Sequence, residues 1–185
     1  MADTSDFRNG FSLLLEGNLF VIVEFQHVKP GKGTAFVRTR LKNLQTGAVL
    51  ERTFRSGDKV EEIRVEKREM QYLYLEGDNF QFMDLQTYEQ LGVAKALMGS
   101  VAPFLRENNN AFVLIAQDKP IGVELPKFVE LRVAHTDPGV KGDTATGAVK
   151  PATLETGAVV SVPLFINQGD ALKIDTRSGD YVERV

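Results

Sequence analysis

Cysteine and tryptophan are both missing from this 185-residue chain, and its only histidines are His27 and His135. Without cysteine there are no disulfides, no thiolate metal sites and no cysteine nucleophile, and a reducing compartment is permitted. A histidine metal site or a Ser-His-Asp triad would have to be built on one of two imidazoles, and neither stands in such a motif. Both read as hydrogen-bonded or surface side chains. Long apolar runs are also lacking: the longest, AFVLIA at residues 111–116, falls far short of the ~20 residues that cross a bilayer. The opening MADTSDFRNG is polar and acidic, where a signal peptide needs a basic start and an apolar core. The expectation is a cytoplasmic protein with no membrane partner.

The chain carries 22 Lys plus Arg against 25 Asp plus Glu, and 43% of its residues are hydrophobic. That balance describes a globular chain rather than a disordered tail. One further absence is local. No Asp or Glu occurs in residues 25–50, and within them FQHVKPGKGTAFVRTRLK, residues 25–42, holds five cations.

Short segments rich in Val, Ile, Phe and Tyr, punctuated by Gly, Asn and Asp, predict a mainly β protein. NLFVIVEFQHV, TAFVRTRLKNL, AVLERTF, MQYLYLEGDNFQFMD, AFVLIA and FVELRVAH are the clearest strands. Residues 91–106 are the exception, because Val93, Leu97, Val101 and Leu105 recur every four positions and predict one or two short helices. Two look-alike segments, RSGDKVE at 55–61 and RSGDYVE at 177–183, read as a reused tight turn between strands. If each closes a unit, a boundary lies near residue 64. Pro120 and Pro126 suggest another near 127. The resulting units, 1–64, 65–127 and 128–185, carry 10 basic and 8 acidic, 6 and 9, and 6 and 8 side chains. Only the first is net positive.

Within that unit KPGKG joins two alternating strands and reads as a hairpin tip. Lys29 and Pro30 enter it, Gly31 and Gly33 permit positive φ, and Lys32 points away from the body. Beyond it Phe36, Arg38, Arg40 and Lys42 share one strand face, and Ala35, Val37, Thr39 and Leu41 the other. The expected product is a basic ribbon with a lysine at its tip and no carboxylate nearby, suited to a polyanion such as RNA phosphate; a solvated edge strand is the structural alternative. A phosphate-binding P-loop is excluded. Gly33 separates Lys32 from Thr34, and a strand follows where that motif opens a helix.

Three long blocks carry a resemblance to a known family, bacterial elongation factor P. EFQHVKPGKGTAFVRTRLKNLQTG is similar to its first domain, YLYLEGDNFQFMDLQTYEQ to its second, and DPGVKGDTATGAVKPATLETGAVVSVPLFINQGDALKIDTRSGDYVERV to its third. The resemblance implies an N-terminal SH3-like (KOW-type) barrel, a central OB-fold barrel and a C-terminal OB-fold barrel, in an L-shaped arrangement similar to tRNA. It also implies a monomer without cofactor or metal that binds the 70S ribosome between the peptidyl (P) and exit (E) sites. There it would stabilise peptidyl-tRNA and relieve stalling at consecutive prolines, without being an enzyme. Lys32 is implied to reach toward the peptidyl-transferase centre and to be the target of a lysine-modifying enzyme. Gly142, Asp143 and Thr144 match the loop that approaches mRNA in the E site, and Tyr181 and Arg184 match positions associated with RNA. Departures from the family pattern are small: His135 stands where an acid is common, and Asn108 to Asn110 where a glycine-containing turn is usual.

Two rival readings have their own marks. A general single-stranded RNA-binding OB-fold protein would use stacked aromatics and a basic groove, yet the second and third units are net acidic. An enzyme using paired carboxylates would draw on Glu61 and Glu62 or Glu66 and Glu69, which lie in DKVEEIRVEKREM among alternating cations and read as a solvated face.

Overall fold

A computed structural model describes residues 1–140 and 147–185. Their regular structure is almost entirely strand. The order is β1 (Ala2–Asp3), β2 (Ser12–Leu15), β3 (Asn18–Val28), β4 (Phe36–Asn43), β5 (Val49–Arg55), β6 (Lys59–Glu62), β7 (Val65–Glu76), β8 (Asn79–Asp84), β9 (Gln90–Ala94), β10 (Asn110–Ala116), β11 (Lys119–Glu124), β12 (Phe128–Thr136), β13 (Val149–Leu154), β14 (Val159–Pro163), β15 (Ala171–Asp175) and β16 (Tyr181–Arg184). They form three sheets, ordered β1-β6-β2-β3-β4-β5, β11-β10-β7-β8-β9 and β14-β13-β12-β15-β16. The mainly β architecture expected from the strand-like segments is the one the chain adopts.

By packing the chain divides into two compact units, Met1–Lys67 with Leu114–Gly122, and Arg68–Val113 with Val123–Val185. The first unit holds a core of Phe7, Phe11, Leu13, Phe20, Ile22, Val37, Leu41, Phe54 and Val60. Phe7 anchors it with its ring 5.5 Å from Phe11 and 5.3 Å, edge-on, from Phe54. A smaller cluster gathers Ile63, Leu114, Ala116 and Ile121. In the second unit Tyr72 packs 5.6 Å from Phe80 and 5.5 Å from Phe82. A further core there comprises Leu131, Val133, Leu154, Val160, Val162, Ile166, Leu172 and Ile174, with Phe104 packed against it. On most strands alternation explains these cores, since successive residues face opposite sides and every second one is buried; β10 differs, with Val113, Leu114, Ile115 and Ala116 all buried.

Residues 91–106 form the two short helices that were expected, both of the tighter 3-10 type. Val93 is buried on β9, and the chain then makes two 3-10 segments, Lys95–Leu97 and Gly99–Phe104. Their hydrogen bonds span three residues, from Met98 N–H to Lys95 C=O, Val101 N–H to Met98 C=O and Leu105 N–H to Ala102 C=O. Gly99 at φ +55° breaks the run and Pro103 lacks a donor, so an α-helical ladder has nowhere to continue. Met98, which the four-residue spacing skips, is the fully buried anchor.

One turn recurs three times. In NLQTGA (43–48), DLQTYE (84–89) and DTRSGD (175–180) the first residue's N–H donates to the sixth residue's carbonyl, at 2.8, 2.9 and 2.9 Å. Its side-chain Oδ1 accepts the N–H groups of the third and fourth residues. At Asp84 these backbone donors hold the carboxyl below its ordinary range. The two look-alike RSGD segments do not share this geometry. The first is a four-residue turn in which Asp58 N–H donates to Arg55 C=O at 3.0 Å and Asp58 Oδ2 accepts the Arg55 N–H at 2.8 Å.

Candidate nucleic-acid interface

The hairpin arm is built by β3 and β4, which pair antiparallel from Phe20 opposite Asn43 out to Val28 opposite Phe36. Residues 29–35 remain as the connecting loop, and Lys29, Pro30, Gly31, Lys32 and Gly33 are all exposed. Gly33 has φ +116° while Gly31 does not use positive φ, so one glycine rather than two carries the special backbone of the tip. A hydrogen bond from Ser56 N–H to Ala35 C=O at 2.9 Å fastens the base of the loop to the end of β5.

On β4 the two faces separate as the period of two requires. Val37, Thr39 and Leu41 are buried, while Arg38, Arg40 and Lys42 are exposed. The buried Thr39 hydroxyl is satisfied by donating to Arg52 C=O at 2.7 Å. His27, next to the arm, is exposed with its ring edge-on to Phe25 at 5.7 Å.

The expectation that no carboxylate pairs the ribbon is corrected at one position. Arg40 Nη1 lies 3.2 Å from Glu24 Oε2, and Glu51 stands opposite Arg40 on β5. A register shift between Ile22 and Glu24 leaves Val23 without a partner and brings Glu24 opposite Arg40. The acid-free stretch in sequence is therefore not acid-free in space, because both acids come from just outside it. Among the described residues no carboxylate pairs Lys29, Lys32, Arg38 or Lys42. Arg38 is flanked by Gln26 and Thr53, and Lys42 by Val21 and Val49.

In the second unit, Gly142, Asp143 and Thr144 lie outside the described residues. Tyr181 is half-buried opposite Ile174 and packs against the core around Leu131. Arg184 is exposed, its guanidinium 5.5 Å from the Phe165 ring centroid and its Nη1 3.6 Å from Asp170 Oδ2. The sequence reading missed Phe165, which is 58% exposed and backs that guanidinium. Its signal was an aromatic in a loop, PLFINQGD, too common to single out.

The carboxylates considered for acid–base work do not converge. Glu61 and Glu62 are consecutive on β6 and point to opposite faces. Glu62 pairs with Arg8 at 3.6 Å, and Glu69 accepts from Asn110 at 3.1 Å. Among the described residues no three His, Cys, Asp or Glu side chains gather as a metal site, and no helix is long and apolar enough to cross a membrane.

Comparison with known proteins decides the family. The model of the elongation factor P (EF-P) KOW-like domain matches residues 3–60, that of the EF-P OB domain residues 65–123, and that of the elongation factor P C-terminal domain residues 129–184. The chain belongs to the elongation factor P family. Proteins named elongation factor P from Pelotomaculum thermopropionicum and Moorella thermoacetica are each 57% identical over 185 and 184 residues, covering 100% of both chains. Among solved structures, translation initiation factor 5A from Methanococcus jannaschii is similar with TM-score 0.51 and 26% identity, over 64% of this chain and 88% of that one. A factor 5A family protein from Naegleria fowleri shares the fold, with TM-score 0.52 at 16% identity over 67% and 96% of the two chains. The resemblance drawn from the three sequence blocks is thus confirmed, with its KOW-like and OB architecture, and the chain is a translation elongation factor.

Proposed function

We propose that this factor binds the 70S ribosome between the P and E sites and stabilises peptidyl-tRNA, speeding peptide-bond formation where consecutive prolines stall it. The observation that carries this reading is the arm: an exposed Lys32 at the tip of a loop whose cations Lys29 and Lys32 have no carboxylate partner among the described residues, on a sheet with basic Arg38 and Lys42 facing outward. Lys32 reaches toward the acceptor end of the peptidyl-tRNA. Arg38 and Lys42 hold phosphates beside it, and Arg40 joins them by exchanging its Glu24 partner, since a surface ion pair is worth at most ~1 kcal/mol.

Proline's ring restricts its backbone and makes productive alignment with the ester difficult, so positioning is a large part of the barrier. A cationic arm that fixes the tRNA end lowers that entropic cost without proton transfer or covalent chemistry of its own, and the factor is accordingly not an enzyme. Lengthening of Lys32 by a modifying enzyme would extend its reach and add donors. In the same reading the domains are residues 1–64, 65–127 and 128–185. Gly142, Asp143 and Thr144 approach mRNA in the E site, Tyr181 and Arg184 add RNA contacts, and the protein acts as a cytoplasmic monomer.

The test is the rate of peptide-bond formation through a Pro-Pro-Pro message on purified ribosomes with no factor, with the wild type carrying whatever group its native host attaches, and with Lys32→Ala. The wild type should accelerate the step at least tenfold over Lys32→Ala. Equal rates for all three would reject the proposal.

A further inference from the structure

The positive surface at the arm does not end with β4. Arg55, the last residue of β5, stands directly opposite Phe36 on the next strand. Residues opposite one another in an antiparallel pair project from the same face, so Arg55 shares the outer face of Phe36 and Arg38. The burial pattern agrees: the neighbours one step inward, Val37 and Phe54, are opposite each other and both buried, and Arg55 is exposed.

Rows across the sheet show how charge is segregated on this face. The row of Arg40 holds Glu24 and Glu51, whereas that of Arg38 holds Gln26 and Thr53, and that of Phe36 holds Val28 and Arg55. Acids are confined to the half of the face away from the loop. The half adjoining the loop carries Arg38 and Arg55, and the loop itself adds Lys29 and Lys32. Asp58 is the acid nearest in sequence to Arg55, and its Oδ2 is engaged by the Arg55 backbone N–H at 2.8 Å. Among the described residues no carboxylate pairs the Arg55 guanidinium. The preceding arginine on the strand differs, since Arg52 Nη2 is 3.2 Å from Glu16 Oε1.

We infer that Arg55 is a further phosphate-binding residue of the arm, and that the RNA backbone crosses from β4 to β5 at the loop end of the sheet. This rests on the proposed ribosomal function and extends it by a residue that the acid-free stretch does not contain. A free guanidinium beside Arg38 offers a planar fork for a phosphate and releases counterions when it binds one. Ser56 N–H fixes the strand end against Ala35, so the position of Arg55 is coupled to that of the loop.

The experiment measures the dissociation constant of the full-length protein for 70S ribosomes carrying peptidyl-tRNA in the P site, across a salt series. Wild type, Arg55→Gln, Arg55→Lys, Arg38→Gln and Arg52→Gln are compared, with thermal unfolding of each variant alongside. Losing one phosphate contact should reduce the log–log salt slope by roughly 0.7 to 0.9. Arg55→Gln should show that reduction with an unchanged unfolding temperature, Arg55→Lys should restore the wild-type slope, and Arg52→Gln should keep it. A wild-type slope for Arg55→Gln while Arg38→Gln loses its contact overturns the inference and leaves the proposed function standing. An equal reduction for Arg52→Gln also overturns it, because only net charge would then matter. Failure of the wild type to bind overturns both readings together.

Discussion

At the residue scale, the clearest perturbation outside the arm is Asp3. Hydrogen bonds from the Ser5 hydroxyl and then the Ser5 N–H, with Lys59 Nζ 3.3 Å away, hold its carboxyl down at about 2 from the ordinary 3.8. The ionised form is favoured by the fold. Asp3 therefore contributes stability that is present above 3.8 and is lost as pH falls toward 2. Asp3→Asn keeps a side-chain oxygen that can accept the Ser5 N–H and removes this titration. The denaturation midpoint of the wild type should fall more steeply than the variant's over that interval, and the variant should be the less stable of the two at neutral pH. Parallel midpoint–pH curves would contradict the assignment. The residue scale is also where sequence reading stopped short. Val37, Thr39 and Leu41 inside against Arg38, Arg40 and Lys42 outside was legible, because strand alternation is local. The Glu24–Arg40 pair was not, because it depends on one unpaired residue, Val23, shifting the register, and no local pattern announces which residue a sheet leaves out.

Among the elements, the thrice-repeated turn makes opposite predictions for one position. Its fifth residue is left-handed each time: Gly47 at φ +75°, Tyr88 at +61° and Gly179 at +78°. Glycine takes that conformation freely, whereas a side chain there costs roughly 1–2 kcal/mol. Tyr88 is 71% exposed, so little packing offsets its strain, and Tyr88→Gly should raise stability by about 1 kcal/mol in chemical denaturation. Gly179→Ala should lower it by about 1–2 kcal/mol, since a Cβ there would also stand 3.3 Å from the Phe104 ring. A stability loss for Tyr88→Gly would mean that the ring is packed in solution. The RSGD segments match in letters, but the shared element is defined by the backbone N–H groups that the Oδ1 atoms of Asn43, Asp84 and Asp175 accept. At residues 91–106 the apolar spacing located two short helices, while their 3-10 rather than α type followed from Gly99 and Pro103.

For the whole molecule, the proposed function rests on where charge is concentrated rather than on its total. In the proposed function a chain with net charge -3 meets RNA through one unit that is locally positive, because phosphate attraction is set by the nearby field within about a Debye length. The absence of cysteine supplies a direct probe of this arrangement. Lys32→Cys places a single thiol at the arm tip, which can carry a short photo-crosslinker without labelling any other position. Irradiation on ribosomes holding peptidyl-tRNA in the P site should join position 32 to the acceptor end of that tRNA. Bound factor that crosslinks only to RNA or protein remote from that end would contradict the claim that the arm's tip works beside the reacting ester.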